Sequence, residues 1–262
     1  MEELLHLDRF PLDKPHSPEW NALVAQCRSD LARTGMFNLH GLMRLPVAKR
    51  EVAAMMPKFE TESFRHERDH NIYFLDQIDG LPPDHPALQR HTTSNLTLCA
   101  DQIVGSALTQ LYEWPAFATF LAAAMGKSHL HVMSDPLARI NVMAYHAGQR
   151  LNWHFDRSEF TTTLLLQAPH AGGAFEYRTD LRSDGDPNYD GVARMLRGED
   201  DAVRQLELTA GTLNVFKGKN TAHRVTNVKG DRARVIAVFS YFEQPDVTFS
   251  EGERRGFYGR AG

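Results

Sequence analysis

The chain has 262 residues, with 29 Lys and Arg against 33 Asp and Glu and a formal net charge of -4. That length suits one large β-rich domain, the slight acidity argues against a surface built on phosphate contacts, and no window is apolar for long enough to cross a bilayer. Cys27 and Cys99 are too few and too far apart for a disulfide framework, and MEELLHLDRF lacks the basic segment and apolar core of a secretory signal, so a reducing cytoplasm is the expected setting.

Ser17-Pro18-Glu19 supplies an N-cap, a first-turn proline and an acid near the positive end of a helix. That helix carries Trp20, Leu23, Val24, Cys27 and Leu31 on one stripe and stops at Gly35. MFNLHGL then reads as a short strand and residues 46–61 as a further short helix. In FRHERDHNIYFLD, residues 64–76, His66 and His70 have the spacing of a helix-borne metal pair, but no acid or second anchor accompanies them. A solvated charged face is expected there, with Arg65 or Arg68 reaching toward a substrate carboxylate. LTLCADQIVGSALTQLYEW and AFATFLAAAMG read as two apolar helices, with Pro115 between them and Gly126 as a stop.

From about residue 129 the texture turns to strands, with no Gly-, Pro- or Ser-rich linker before it. His129 and His131 are a period-2 pair for which a structural role is expected. Along ARINVMAYH, the side chains of Arg139, Asn141, Met143 and Tyr145 share one side of a strand. Gly148 marks a turn, and NWHFD follows, placing His154 and Asp156 two apart with their side chains on one face. FTTTLLLQ continues as a β-branched, apolar strand. His6-Leu7-Asp8 repeats the tripeptide in a Pro-flanked stretch without strand pattern, so it reads as coincidence.

Residues near 178–206 interrupt the strands with a polar loop and a helix near Val192 to Leu196, and GEDDA is a solvated turn. Gly211 opens the strand TLNVF, KGKNTA is a polar loop, and His223 starts the strand HRVTNV. After the turn at Lys229 to Asp231 comes RARVIAVFSYF, where Arg232 and Arg234 share a face and either guanidinium fork suits a carboxylate. RRGFYGR, residues 254–260, reads as a solvated tail. The other reading is a C-terminal flap, with Phe257 or Tyr258 covering a site.

His154, Asp156 and His223 together offer two imidazoles and one carboxylate, the facial triad of non-haem Fe(II), with three coordination positions left open. No strand-to-helix phosphate loop or GxSxG elbow supports a nucleotide enzyme or a serine hydrolase. The order of elements predicts an α+β chain, a double-stranded β-helix (jelly roll, cupin-like) core with an N-terminal helical scaffold. One domain covers 1–262: 1–128 mainly helical support, 129–245 the β-core with its insertion near 178–206, and 246–262 a C-terminal tail.

The segments YHAGQRLNWHFD, GGAFEY, GTLNVFKGKNTAHRV and GDRARVIAVFSY, spread over about residues 139 to 243, resemble the Fe(II)/2-oxoglutarate-dependent oxygenases. The resemblance implies Fe(II) on His154, Asp156 and His223, with 2-oxoglutarate and dioxygen as co-substrates. It implies an arginine of the last core strand on the distal carboxylate of 2-oxoglutarate, and Arg234 is preferred to Arg232 because it lies closer to the apolar centre VIAVFSYF. Tyr145 would donate to 2-oxoglutarate and Asn141 to either ligand, unless Tyr145 only caps the core through a bound hydroxyl. Arg157 and Arg65 are substrate candidates.

The chain also resembles, less specifically, a subgroup acting on free amino acids that includes hydroxylases and radical halogenases. The halogenases carry Gly or Ala at the carboxylate position, so Asp156 implies hydroxylation of an aliphatic C–H, with desaturation left open. The rival readings are a hydroxylase of peptide or protein side chains and a non-catalytic cupin-like binding protein. No nucleic-acid or membrane partner is expected.

Overall fold

The computed structural model describes residues 1–262, and none of its helices is long and apolar enough to cross a membrane. In the first half, Ser17 caps α1 (Pro18–Thr34) by accepting from Trp20 N, and Gly35 ends it in the left-handed region at φ 74°. Then come β1 (Met36–Leu39), α2 (Leu45–Thr61), β2 (Phe64–His70), β3 (His91–Cys99), α3 (Ala107–Tyr112) and α4 (Pro115–Met125), which Gly126 closes. The second half runs β4 (His131–Val132), β5 (Ile140–Tyr145), β6 (Leu151–His154), β7 (Thr161–Gln167), β8 (Ala171–Gly172) and β9 (Phe175–Arg178). After α5 (Tyr189–Leu196) follow β10 (Arg204–Leu206), β11 (Thr212–Phe216), β12 (Ala222–Val225), β13 (Val228–Lys229), β14 (Arg234–Phe239), β15 (Tyr241–Phe242) and α6 (Glu251–Tyr258).

Seven strands form an antiparallel sheet in the order β1-β11-β7-β14-β5-β3-β2, and four form a second, β10-β9-β12-β6. Alternation along each strand decides what the large sheet buries on each face. Ile140, Val142, Ala144, Leu164, Leu166, Leu213, Val215, Val235 and Ala237 join the core formed with α1, α2, α3 and α4. Their neighbours Tyr145, Leu165 and Ile236 point the other way, where Leu151 of β6 and Val228 of β13 meet them. Phe175 of β9 packs on Met36 and Phe216 at the opposite margin. The result is a double-sheet jelly roll on a helical scaffold, an α+β fold as expected.

The structure corrects three local expectations. Leu96–Cys99, read as the start of a helix, ends β3, and the helix is confined to Ala107–Tyr112. Leu96 and Leu98 pack with the helical layer while Thr97 pairs across the other face, an alternation that a short apolar run hides. Residues 64–70 are likewise strand, not helix, so the front half supplies β1, β2 and β3 of the large sheet in addition to its helices. The basic C-terminal run is no solvated tail. Tyr258 is buried and donates to Asn141 Oδ1 at 2.9 Å, while Arg254 pairs with buried Asp135 at 3.2 Å and Arg260 with Asp101 at 2.6 Å. Arg254 and Arg260 thus find acids more than a hundred residues away in sequence.

Candidate metal centre

His154 ends β6 and His223 lies on β12, directly opposite it in the ladder between the two strands. Asp156 falls just beyond the end of β6, where its backbone N donates to Gly218 O at 3.1 Å. One ligand atom from each of the three residues lies within 4.8 Å of the other two. The His154 Nε2 is 3.3 Å from one carboxylate oxygen of Asp156 and the His223 Nε2 is 3.4 Å from the other. Each imidazole places Nδ1 on a backbone carbonyl, His154 on Asn152 O at 2.8 Å and His223 on Thr221 O at 3.0 Å. Those bonds keep the proton on Nδ1 and leave each Nε2 lone pair for a cation.

The protonation states of Asp156 and His223 already suit a metal. Burial pushes the Asp156 carboxyl up, but the two imidazoles and the Thr161 hydroxyl, which donates to it, outweigh burial and hold it well below the usual carboxylate range. Burial, with His154 beside it, pushes His223 down to about 4, so it is neutral at ordinary pH. Two imidazole Nε2 atoms and one carboxylate, with no fourth protein ligand in the cluster, fit Fe(II) with open positions.

On the facing sheet, Arg234 opens β14 opposite Tyr145 of β5. It is only 2% exposed, its Nη1 has no hydrogen-bond partner, and its Cζ lies 5.9 Å from the centre of the Tyr145 ring. A buried guanidinium without an acid is costly, and an anion placed in this corner would offset that cost. Burial pushes the Tyr145 hydroxyl up to about 12, keeping it a donor. Arg232 does not share the site: it precedes the strand, is exposed, and donates to Pro169 O at 3.2 Å.

The other expected site residues lie elsewhere or are already engaged. Asn141 accepts from Tyr258 and donates to Leu137 O and Ile140 O, so it ties α6 to the sheet instead of facing a ligand. Arg157 is exposed and paired with Glu253 at 3.0 Å, and Arg65 is exposed and paired with Glu67 at 2.9 Å. His129 and His131 are exposed and apart from the triad, and half-buried His6, also apart from it, approaches Asp8 at 3.7 Å. His70, expected on a solvated face, is instead buried and hydrogen-bonded to Thr93 Oγ1 at 2.7 Å, its ring 6.3 Å from that of His154.

Thr161 and Gly218 escaped the sequence reading because neither residue type marks a site by itself. A Cβ on Gly218 would collide with the Asp156 carboxylate and the Thr161 hydroxyl. Gly218→Ala should therefore displace the carboxylate and weaken Fe(II) binding by about 10- to 100-fold, the loss typical of a disturbed supporting shell. Anaerobic metal titration checks this, and unchanged affinity would show that the carboxylate has room to move.

The family model described as Halogenase D matches residues 88–253. No curated protein matches the chain. Among solved structures, the chain is similar to the non-haem alpha-ketoglutarate-dependent epimerase SnoN of nogalamycin biosynthesis, with TM-score 0.58, 15% identity, and coverage of 85% of this chain and 83% of that one. It is similar to a prolyl-4-hydroxylase from Pseudomonas putida, with TM-score 0.52, 16% identity, and coverage of 85% and 100%. A Trichoplax adhaerens prolyl hydroxylase in complex with a peptide fragment gives TM-score 0.55 at 11% identity, covering 88% and 96%. At these identities the likeness is one of fold.

Proposed function

This chain belongs to the Halogenase D family, and from that membership we propose that it is an Fe(II)- and 2-oxoglutarate-dependent hydroxylase acting on an aliphatic C–H of a small molecule, a free amino acid. The observation that carries this reading is Asp156. Its carboxylate stands between the two Nε2 atoms, in the coordination position that a halide would need. The site therefore has the ligand set for oxygen insertion inside a family described by a halogenase.

With iron bound, the centre supplies oxidation of an unactivated C–H bond by dioxygen at the expense of 2-oxoglutarate. The chain's own residues do the rest. His154 and His223 present fixed Nε2 lone pairs. Thr161 restrains one carboxylate oxygen of Asp156. Arg234 is the partner for the far carboxylate of 2-oxoglutarate, and the protonated Tyr145 hydroxyl beside it is a second donor. The apolar layer of Leu151, Leu165, Val228 and Ile236 next to them excludes water from the ion pair, which strengthens it.

The test is product mass spectrometry across free amino acids and matched peptides, with chloride present. The expected product carries one added oxygen on a free amino acid. Reaction with peptides alone would overturn the substrate class, and a chlorinated product would overturn the outcome.

A further inference from the structure

We propose, resting on the reading above, that Arg68 is the anchor for the substrate's carboxylate and that Phe74 is the residue that positions it beside the metal centre. The substrate is then a small acid whose carboxylate meets β2 while its aliphatic chain extends toward His154.

Three cations near the site already have acids of their own. Arg65 pairs with Glu67 at 2.9 Å, Arg90 with Asp76 at 2.8 Å and Arg157 with Glu253 at 3.0 Å. Arg182 donates to Lys219 O and lies 4.0 Å from the centre of the Phe155 ring, within the cluster that packs under α5. Arg68 has no carboxylate partner. Period-2 alternation puts it on the same face of β2 as His66 and His70, and His70 is the neighbour of metal ligand His154.

What holds Arg68 there is a strained turn. Buried Asn71 accepts from Tyr73 N at 3.1 Å and Leu75 N at 3.2 Å and donates to Leu75 O, which locks the turn after β2. At its centre Phe74 takes φ 58°, a conformation that bulky side chains avoid. A large apolar residue that is 43% exposed in a left-handed conformation is unfavourable twice over, and such sites concentrate where function needs them. The ring has three neighbours. It stacks on His70 with centroids 4.4 Å apart, meets His154 edge-on at 6.2 Å, and has the Arg68 Cζ 5.1 Å from its centroid. Stacking on an aromatic face orients a guanidinium while leaving its N–H fork free for a carboxylate. Phe74 thus holds an arginine that has no acid partner against a ring that also meets His154.

The experiment titrates the anaerobic Fe(II)/2-oxoglutarate enzyme with free amino acids, the same amino acids as methyl esters, and matched peptides, following the shift of the metal-to-co-substrate absorption band. Wild type should respond to a free acid and not to its ester. Arg68→Met should weaken that response about 10- to 100-fold, as loss of a charge-assisted bidentate contact predicts, with 2-oxoglutarate affinity held within about twofold. Arg68→Lys should fall between the two. Phe74→Gly, which removes the ring and suits the backbone, should cost about 3- to 10-fold in substrate affinity. If wild type answers free acids and Arg68→Met answers them equally well, the anchor is overturned while the hydroxylase reading stands. If wild type answers only peptides, or nothing in the panel, that reading falls and the anchor with it.

Discussion

Arg234→Ala should raise the 2-oxoglutarate concentration needed for half-maximal turnover on the order of 100-fold while moving the amino-acid requirement only severalfold. The size follows from removing one partner of a buried charged pair, which costs more than any surface contact. The selectivity follows from position. Arg234 sits on the inner face of the large sheet against Tyr145, Nη1 unpartnered, among the apolar residues that close the sandwich. Arg232→Ala is the control, since that side chain is exposed and bonded only to a backbone carbonyl. The reverse pattern, with Arg232→Ala impaired and Arg234→Ala normal, would move the anion site out of the sandwich. Without metal and co-substrate, Arg234→Ala should unfold no more readily than wild type, because the guanidinium is an uncompensated buried charge there.

His154→Ala and His223→Ala should each lose more Fe(II) affinity than the ~10- to 100-fold cost of disturbing a supporting contact, and turnover should fall with it. Both imidazoles lie at the end or start of short strands, and their only protein hydrogen bonds are from Nδ1 to local carbonyls. Neither imidazole hydrogen-bonds to a residue distant in the chain. Circular dichroism and the melting temperature of metal-free protein should therefore change little, while anaerobic titration with Fe(II) shows the loss. Full turnover by either purified variant would refute the assignment of the triad.

The metal ligands were legible in the sequence because their signal is local. His154 and Asp156 are two apart beside a turn glycine and a β-branched run, and His223 begins a run of strand character, although Asp156 falls just past β6 and is set there by Gly218 and Thr161. The ends of α1 and α4 were legible for the same reason, since a cap or a stop is chemistry within one turn. Between Arg232 and Arg234 the sequence leaned toward the residue nearer the apolar strand, and that is the one the fold buries. Only the structure puts one in the sandwich and the other in solvent, because the first residue of β14 is set by its pairing with β5.

What failed locally was decided by partners distant in the chain. LTLC is compatible with helix or strand, and pairing with β2 and β5 settles it as strand. Asn141 looked available until Tyr258, 117 residues later, arrived to occupy its carboxamide. Arg157 looked like a free cation until folding gave it Glu253, 96 residues later, whereas Arg65 has Glu67 two residues along its own strand, and Arg68 was left without an acid and drawn to Phe74. Residue type and spacing along one strand determine which atoms can bind a metal. Whether a charge is free to bind anything else depends on which opposite charge the fold brings within reach, and that is a property of three dimensions.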